Sequence, residues 1–396
     1  MKILYISALS SERLVNDIHQ KTGHNPGFAV QKFSRLIVKG FLANGIDAKA
    51  LTNPPIMRDY SSKLFEFQGT ELENGVTYKY APVINLPFIK QMCSFLYIFF
   101  YVLFWGIGNR KEKAILCDVL NVSGSTAALY ASKLNGVKSV GVVTDIPGKG
   151  AGKSLGVVKK MGGLGLIFQR RMITTFDFYV LLTEQMNEIV NPHGRPHMIM
   201  EALCDSSIAT AESEPIEKDT PRTMVYAGGL HEKYGLKMLV EAFIKSGVDG
   251  KLILYGDGPY ASELREVSDH SDVIEYRGVA SNEEVVAAEQ RASFLVNPRF
   301  TNESFSAYSF PSKNMEYMAS GTPLLSTNLP GMPEEYHEYV YLYGDESIDG
   351  YVDAICQVFG KSDDELQQMG ARAKKFVLEN KNNVAQTKRI LDFIEK

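Results

Sequence analysis

The most constraining stretch of this chain runs from Asn297 to Thr327, NPRFTNESFSAYSFPSKNMEYMASGTPLLST. It reads as one strand-loop-helix-strand unit. Pro311 suits the first helical position, because the amides there have no partner to lose and its fixed φ is already helical. The helix runs on through Met315, Glu316 and Met318. Gly321 suits the position just past its end, and Pro323 stops continuation before the apolar strand Leu324 to Ser326. A helix start exposes free amides and partial positive charge, a natural seat for phosphate or carboxylate. Lys313 in that turn opposes the dipole, which makes sense if an anion neutralises both. Glu316 follows Pro311 by roughly 7.5 Å of helix, at 1.5 Å per residue, an offset that suits a carboxylate holding a ribose while the helix tip holds a diphosphate. The alternative is a solvated Lys313–Glu316 pair at i,i+3.

The same grammar repeats along the chain. Strand MKILYIS, a polar loop from Ser7 to Pro26 and a helix with Phe28, Phe33, Leu36, Ile37 and Phe41 make a βαβ opening with the strand from Asp47 to Leu51. Such units build parallel sheets whose ligands lie beyond the carboxyl ends of the strands. His24 and Gly27 in the loop sit where an acceptor could lie; a solvated loop histidine is the plainer alternative. Strands from Ala114 to Leu120 and Ser139 to Thr144 follow, the second delivering Asp145. Asp145 is either a substrate-facing carboxylate or a turn-initiating residue. The loop Gly148 to Ser154 is glycine-rich and basic, but a phosphate-loop pattern needs glycine where Pro147 stands. A lid or acceptor-site loop suits it better.

Length predicts two or three domains, at roughly 150 residues each. Between Asp205 and Arg222 the composition turns to Ser, Thr, Glu, Asp, Lys and Pro, as in a linker. This predicts a domain over 1–205, a second over 206–375 and a terminal helix over 376–396 that packs back on the first. The second series presents Gly228 and Gly229 after one strand, Gly256-Asp-Gly258-Pro after the next, then Gly278, Val279 and Arg299. A net charge of −4 and pI near 6.0 argue against a nucleic-acid binder. Cys93, Cys117, Cys204 and Cys356 show no metal or disulfide spacing, which predicts reduced thiols and no metal site. The N-terminus lacks the pattern of a signal peptide, so a cytoplasmic protein is expected. The run FLYIFFYVLFWGI, Phe95 to Ile107, is too short to span a bilayer. With Arg110, Lys111 and Lys113 behind it, it is either an interfacial membrane helix over 95–113 or a buried core helix.

The series Gly-Gly-Leu…Lys233-Tyr-Gly235, Tyr-Gly-Asp-Gly-Pro, Arg277-Gly-Val, Asn-Pro-Arg299 and Pro-Ser-Lys…Glu316-Tyr-Met-Ala-Ser-Gly-Thr-Pro resembles the family-4 retaining glycosyltransferases of the GT-B fold. The resemblance covers nearly all of the C-terminal half and is looser before it. It implies an α/β architecture of two doubly wound Rossmann-like domains with a cleft between them. It further implies that Glu316 holds the nucleotide ribose, Lys233 the donor diphosphate, Gly228 and Gly229 the phosphates, and Gly278 and Val279 the base. Asp145 falls where many members place a side chain beside the anomeric centre. The family uses no metal and no cofactor beyond the UDP- or GDP-linked co-substrate, leaving Lys233, Arg299, Ser312, Lys313 and helix amides to stabilise the leaving diphosphate.

The chain departs from the family pattern twice. Tyr308 stands eight residues before Glu316, where a first glutamate is expected, and the Gly228-Gly229-Leu230 turn lacks an arginine. Glu303 and Arg299 are the residues able to replace them. The expected activity is sugar transfer to a glycan or polyprenyl-diphosphate-linked glycan in bacterial capsule or exopolysaccharide assembly. A GT-B-like nucleotide-sugar epimerase and a non-catalytic sugar-binding protein are the alternatives.

Overall fold

A computed structural model describes residues 1–23, 27–86, 89–147, 167–210 and 216–396. They form two compact units: Met1–Leu203 together with Asn383–Lys396, and Cys204–Asn382.

In the first unit the strands are β1 (Lys2–Ser7), β2 (Asp47–Thr52), β3 (Phe65–Glu66), β4 (Thr70–Glu73), β5 (Val76–Tyr80), β6 (Val83–Ile84), β7 (Lys113–Asp118), β8 (Lys138–Val143), β9 (Phe178–Leu181) and β10 (His197–Ile199). Eight of them form one sheet in the order β10-β9-β8-β7-β1-β2-β5-β4. Every pairing is parallel except β4 with β5, and β3 pairs with β6 in a separate antiparallel ribbon. The apolar run Ile3 to Ile6 is buried on both faces, as a central parallel strand must be. The chain walks outward from β1 to β2 and β5, then returns to β7 and walks the other way. The strand order therefore reverses beside β1, where such sheets bind ligands.

The polar loop expected from Ser7 to Pro26 is instead largely the helix Glu12–Thr22. The Ser11 side chain accepts the Leu14 amide as its cap, Leu14, Val15 and Ile18 are buried, and Gly23 ends it at φ 68°. Three apolar residues among many polar ones give a narrow stripe, enough once tertiary packing supplies a surface. His24 and the basic loop Gly148 to Ser154 lie outside the described residues. The last helix, Asn383–Glu395, packs along Phe28–Ala43 at very close range. A Cβ on Gly40 would lie 2.2 Å from the Asn383 carbonyl. Asn44 Nδ2 donates to the Val384 carbonyl at 2.9 Å, and Gln386 Nε2 to the Ala202 carbonyl at 3.0 Å.

The second unit is a six-stranded parallel sheet, β11 (Arg222–Ala227), β12 (Gly250–Tyr255), β13 (Ile274–Gly278), β14 (Phe294–Asn297), β15 (Leu324–Ser326) and β16 (Tyr341–Leu342), in the order β13-β12-β11-β14-β15-β16. All its pairings are parallel. Its reversal lies between β11 and β14, so Ala227 and Asn297 open the crevice. The stretch from Asn297 runs through a 3-10 turn to the helix Ser312–Ser320, which Gly321 ends at φ 83° before β15. Pro311 is the cap rather than the first helical residue, since its ψ of 113° is extended.

Candidate functional site

At the β11/β14 reversal lies a cavity of about 230 Å³, lined by Tyr226 to Gly229, His231, Tyr234, Asn297, Arg299, Pro311 to Lys313 and Tyr317. The glycine turn that lines it is held from behind by backbone packed on backbone. The Gly228 amide donates to the Tyr255 carbonyl at 3.1 Å, Leu230 N to Asp257 O at 2.9 Å, and Gly256 N to Gly278 O at 2.8 Å. A Cβ on Gly256, at φ 130°, would lie 1.8 Å from the Gly228 carbonyl oxygen. Only glycine lets the two turns approach this closely.

The helix Ser312–Ser320 is pinned to the strand ends by buried polar side chains. Asn297 Nδ2 donates to Asn314 Oδ1 at 2.6 Å. The Tyr317 hydroxyl accepts the Ala227 amide at 2.9 Å and donates to the Ala227 carbonyl at 3.1 Å. Pro311 offers no side-chain cap to the helix, and its first turn, with the positive end of the dipole, lies at the cavity that Pro311, Ser312 and Lys313 line. That end is chemically an anion seat.

The cations are arranged around two aromatic rings. Tyr234 and Phe305 meet edge to face with centroids 6.1 Å apart. The Arg299 guanidinium lies 5.1 Å from the Tyr234 centroid and 5.4 Å from that of Phe305; Lys233 Nζ lies 5.5 and 5.2 Å from the same rings. Arg299 Nη1 donates to Ser309 Oγ at 3.1 Å, while its buried Nε has no partner among the described residues. Burial pushes the basicity of Arg299 below the ordinary guanidinium value. A buried guanidinium with an open donor is stabilised by any anion that enters.

Lys313 is engaged more heavily than its position in the sequence suggests. Its Nζ stands 3.0 Å from Glu316 Oε2 and 3.8 Å from Glu289 Oε1. The i,i+3 pair therefore forms, and the buried Glu289, from the helix Asn282–Arg291, joins it.

The structure thus brings Gly228, Gly229, Arg299, Ser312 and Lys313 to one cavity, with Lys233 across the shared rings and Glu316 bound to Lys313. Glu303 and Tyr308 bracket the turn beside it, where the Ser306 amide donates to the Glu303 carbonyl and the Tyr308 amide to the Phe305 carbonyl. Gly278 ends β13 at φ 70°, and Val279 beside it is 77% exposed; neither lines the cavity. Gly27 and Asp145 belong to the first unit. Gly27 precedes the helix Phe28–Ala43 at φ 83°. Asp145 follows β8, accepts the Ile146 amide at 2.7 Å, and burial raises its carboxyl above the usual range. Sequence reasoning missed Tyr226, Asn314, Tyr317 and Glu289. A tyrosine or asparagine in a buried position looks like core, and a glutamate on the apolar side of a helix was the one available signal for Glu289.

Residues 221–361 match the family model described as "Glycosyl transferases group 1". The chain is 26% identical over 183 residues to the putative colanic acid biosynthesis glycosyltransferase WcaL of Salmonella typhimurium, covering 44% of this chain and 45% of that protein. It is 28% identical over 144 residues to the putative teichuronic acid biosynthesis glycosyltransferase TuaH of Bacillus subtilis, covering 35% of each. The chain thus spans less than half the length of these curated relatives. Among solved structures, TarM superposes with a TM-score of 0.65 at 12% identity, covering 100% of this chain and 99% of that one. The apo lipopolysaccharide outer core galactosyltransferase WaaB gives 0.61 at 16% identity, covering 100% and 99%. The fold is GT-B. Anabaena HepE, solved in complex with UDP, gives 0.62 at 12% identity over 99% of both chains. Within this GT-B chain the matched segment begins one residue before β11 and holds every residue that lines the cavity.

Proposed function

We propose that this GT-B chain is a retaining, metal-independent glycosyltransferase. It moves a hexosyl group from a nucleotide-sugar to a glycan or polyprenyl-diphosphate-linked glycan in bacterial surface-polysaccharide assembly. The observation that carries the reading is that the helix start at Pro311–Lys313, the Gly228–Gly229 turn and Arg299 line one cavity, with the Arg299 Nε left without a partner among the described residues. Transfer breaks the bond between the anomeric carbon and a diphosphate oxygen, leaves the electron pair on that oxygen, and bonds the carbon to an acceptor oxygen whose proton passes to the leaving diphosphate. Negative charge grows on the leaving diphosphate, and preorganised cations and amides are what lower that barrier.

In this reading Lys233, Arg299 and the Ser312–Lys313 amides hold the diphosphate, with Gly228 and Gly229 along it. Glu316, steadied by Lys313, accepts from the ribose hydroxyls. Gly278 and Val279 border the base, Glu303 and Tyr308 meet the donor sugar, and Asp145, His24 and Gly27 serve the acceptor side. Uridine is the base to test first, because HepE was solved with UDP and with UDP-glucose. A lipid-linked acceptor would set the enzyme at the cytoplasmic membrane face.

The test is a thermal-shift screen of UDP- and GDP-sugars on the wild type and Glu316→Gln, followed by turnover with and without EDTA. A nucleotide that binds only the folded state raises the melting temperature. We expect one nucleotide to do so, Glu316→Gln to weaken that shift, and EDTA to leave turnover unchanged. No shift with any nucleotide would refute the reading.

A further inference from the structure

The aromatic helix Ile89–Trp105 is half core and half surface. Ile98 and Val102 are fully buried on its inner face, which packs on the helix Val122–Asn135. Asn135 Nδ2 donates to the Val102 carbonyl at 3.0 Å across that contact. The outer face presents Ile89, Met92, Leu96, Phe100 and Phe104, continued by Ile107, each between 38% and 69% exposed. Their spacing averages the helical repeat, so they form one straight apolar row rather than a scatter.

The row does not end with the helix. Leu64, Phe65 and Phe67, each more than half exposed, come from the ribbon of β3 and β6. Phe65 pairs with Ile84, the Asn85 amide donates to the Leu64 carbonyl at 2.8 Å, and Lys90 Nζ reaches back to the Ile56 carbonyl. The ribbon therefore abuts the start of the helix. Exposed apolar residues gathered along one helix face and on the ribbon that packs against that helix mark an interaction site.

Charge decides the partner. Residues 89–113 carry Lys90, Arg110, Lys111 and Lys113 against one acid, Glu112, in a chain of net charge −4. Lys113 Nζ is spent on the Trp105 and Ile107 carbonyls, both at 2.7 Å, closing the helix end, and Arg110 Nη1 donates to the Asn135 carbonyl at 3.3 Å. Arg110 and Lys111 remain exposed at the end of the apolar row. Among the described residues no helix is long and apolar enough to cross a membrane.

We infer that this face, the outer row of Ile89–Trp105 with the Phe65–Phe67 ribbon, is a docking surface that lies flat in the interface of an anionic lipid bilayer. The apolar row enters the headgroup boundary and Arg110 and Lys111 meet lipid phosphate, the arrangement that holds amphipathic helices on anionic membranes. The inference does not depend on the sugar-transfer reading.

The test is flotation of the full chain with phosphatidylcholine vesicles containing no phosphatidylglycerol or about 30 mol% of it, enough to give an anionic surface. The wild type is compared with Phe100→Ser/Phe104→Ser and Arg110→Glu/Lys111→Glu. Circular dichroism and melting check that each variant stays folded, and partitioning is compared only between folded proteins. We expect binding to the anionic vesicles, a loss of about tenfold or more in partitioning for each double variant, and weakening by salt. Trp105, the only tryptophan in the chain, gives a second reading on the unaltered protein: a blue shift with anionic vesicles. Equal partitioning of the wild type and both variants would overturn the inference. So would absence of binding and of the blue shift, or a wild-type dimer that the serine variant dissociates without any vesicle binding.

Discussion

Replacing Tyr317 with Phe isolates what holds the helix start against the strand ends. The hydroxyl accepts the Ala227 amide at 2.9 Å and returns a bond to the Ala227 carbonyl at 3.1 Å, and both residues are buried. Phe fills the same ring volume, so no cavity term arises. A buried amide left without a partner costs about 1–3 kcal/mol, and the lost reciprocal bond contributes about 1 kcal/mol more. We expect a loss of roughly 3 kcal/mol, which for a domain of 150–250 residues lowers the melting temperature by roughly 6–12 °C. Ala227 lines the cavity, so loosening it should also shrink the stabilisation by the best-binding nucleotide. Calorimetry of the variant with and without that nucleotide reads both effects. A melting temperature within about 2 °C of wild type, less than about 1 kcal/mol by the same scale, would refute the claim that this hydroxyl ties helix to strand.

Gly256→Ala places a Cβ 1.8 Å from the Gly228 carbonyl at φ 130°; we expect lower stability and loss of nucleotide-induced stabilisation, read by the same melts, whereas Gly75→Ala, with open space around it, should leave nucleotide binding intact. In the first unit, burial pushes the Asp118 carboxyl up to about 6. Because its folded value lies above the unfolded one near 3.9, the native state binds the extra proton between those values and stability falls as pH rises through that window, by roughly 3 kcal/mol. Asp118→Asn should flatten that fall between pH 4 and 6 in chemical denaturation, while its amide oxygen can still accept the Leu120 amide, now bound at 3.0 Å.

The parallel α/β architecture was legible because its signals are local. Buried strands such as Met224 to Ala227 are continuous apolar runs, and the glycine turns that follow them are forced by backbone approach. The helix from Ser312 and its end at Gly321 were readable within one residue. The helix Glu12–Thr22 was not, since only Leu14, Val15 and Ile18 mark its buried side. The short β3–β6 ribbon was equally hidden, because two-residue strands carry no period. At the site, the charged residues announced themselves by type. Tyr317 and Asn314 did not, since a buried hydroxyl or amide is informative only once its partner is known.

The sequence alone determined that short apolar strands alternate with helices, that glycines close the strands, and that Arg299, Lys313 and Glu316 travel together on one strand-loop-helix unit. These are properties of neighbouring residues, set by periodicity and local stereochemistry. Tertiary structure decided what those residues face. The β11/β14 reversal sets Gly228 beside the Ser312 helix start, and residues 289 and 313 meet only because two helices pack side by side. It also decided the fate of the aromatic run. Packing against Val122–Asn135 buries Ile98 and Val102, and the same contact turns Phe100 and Phe104 outward, because a helix pressed against one neighbour has only one face to hide.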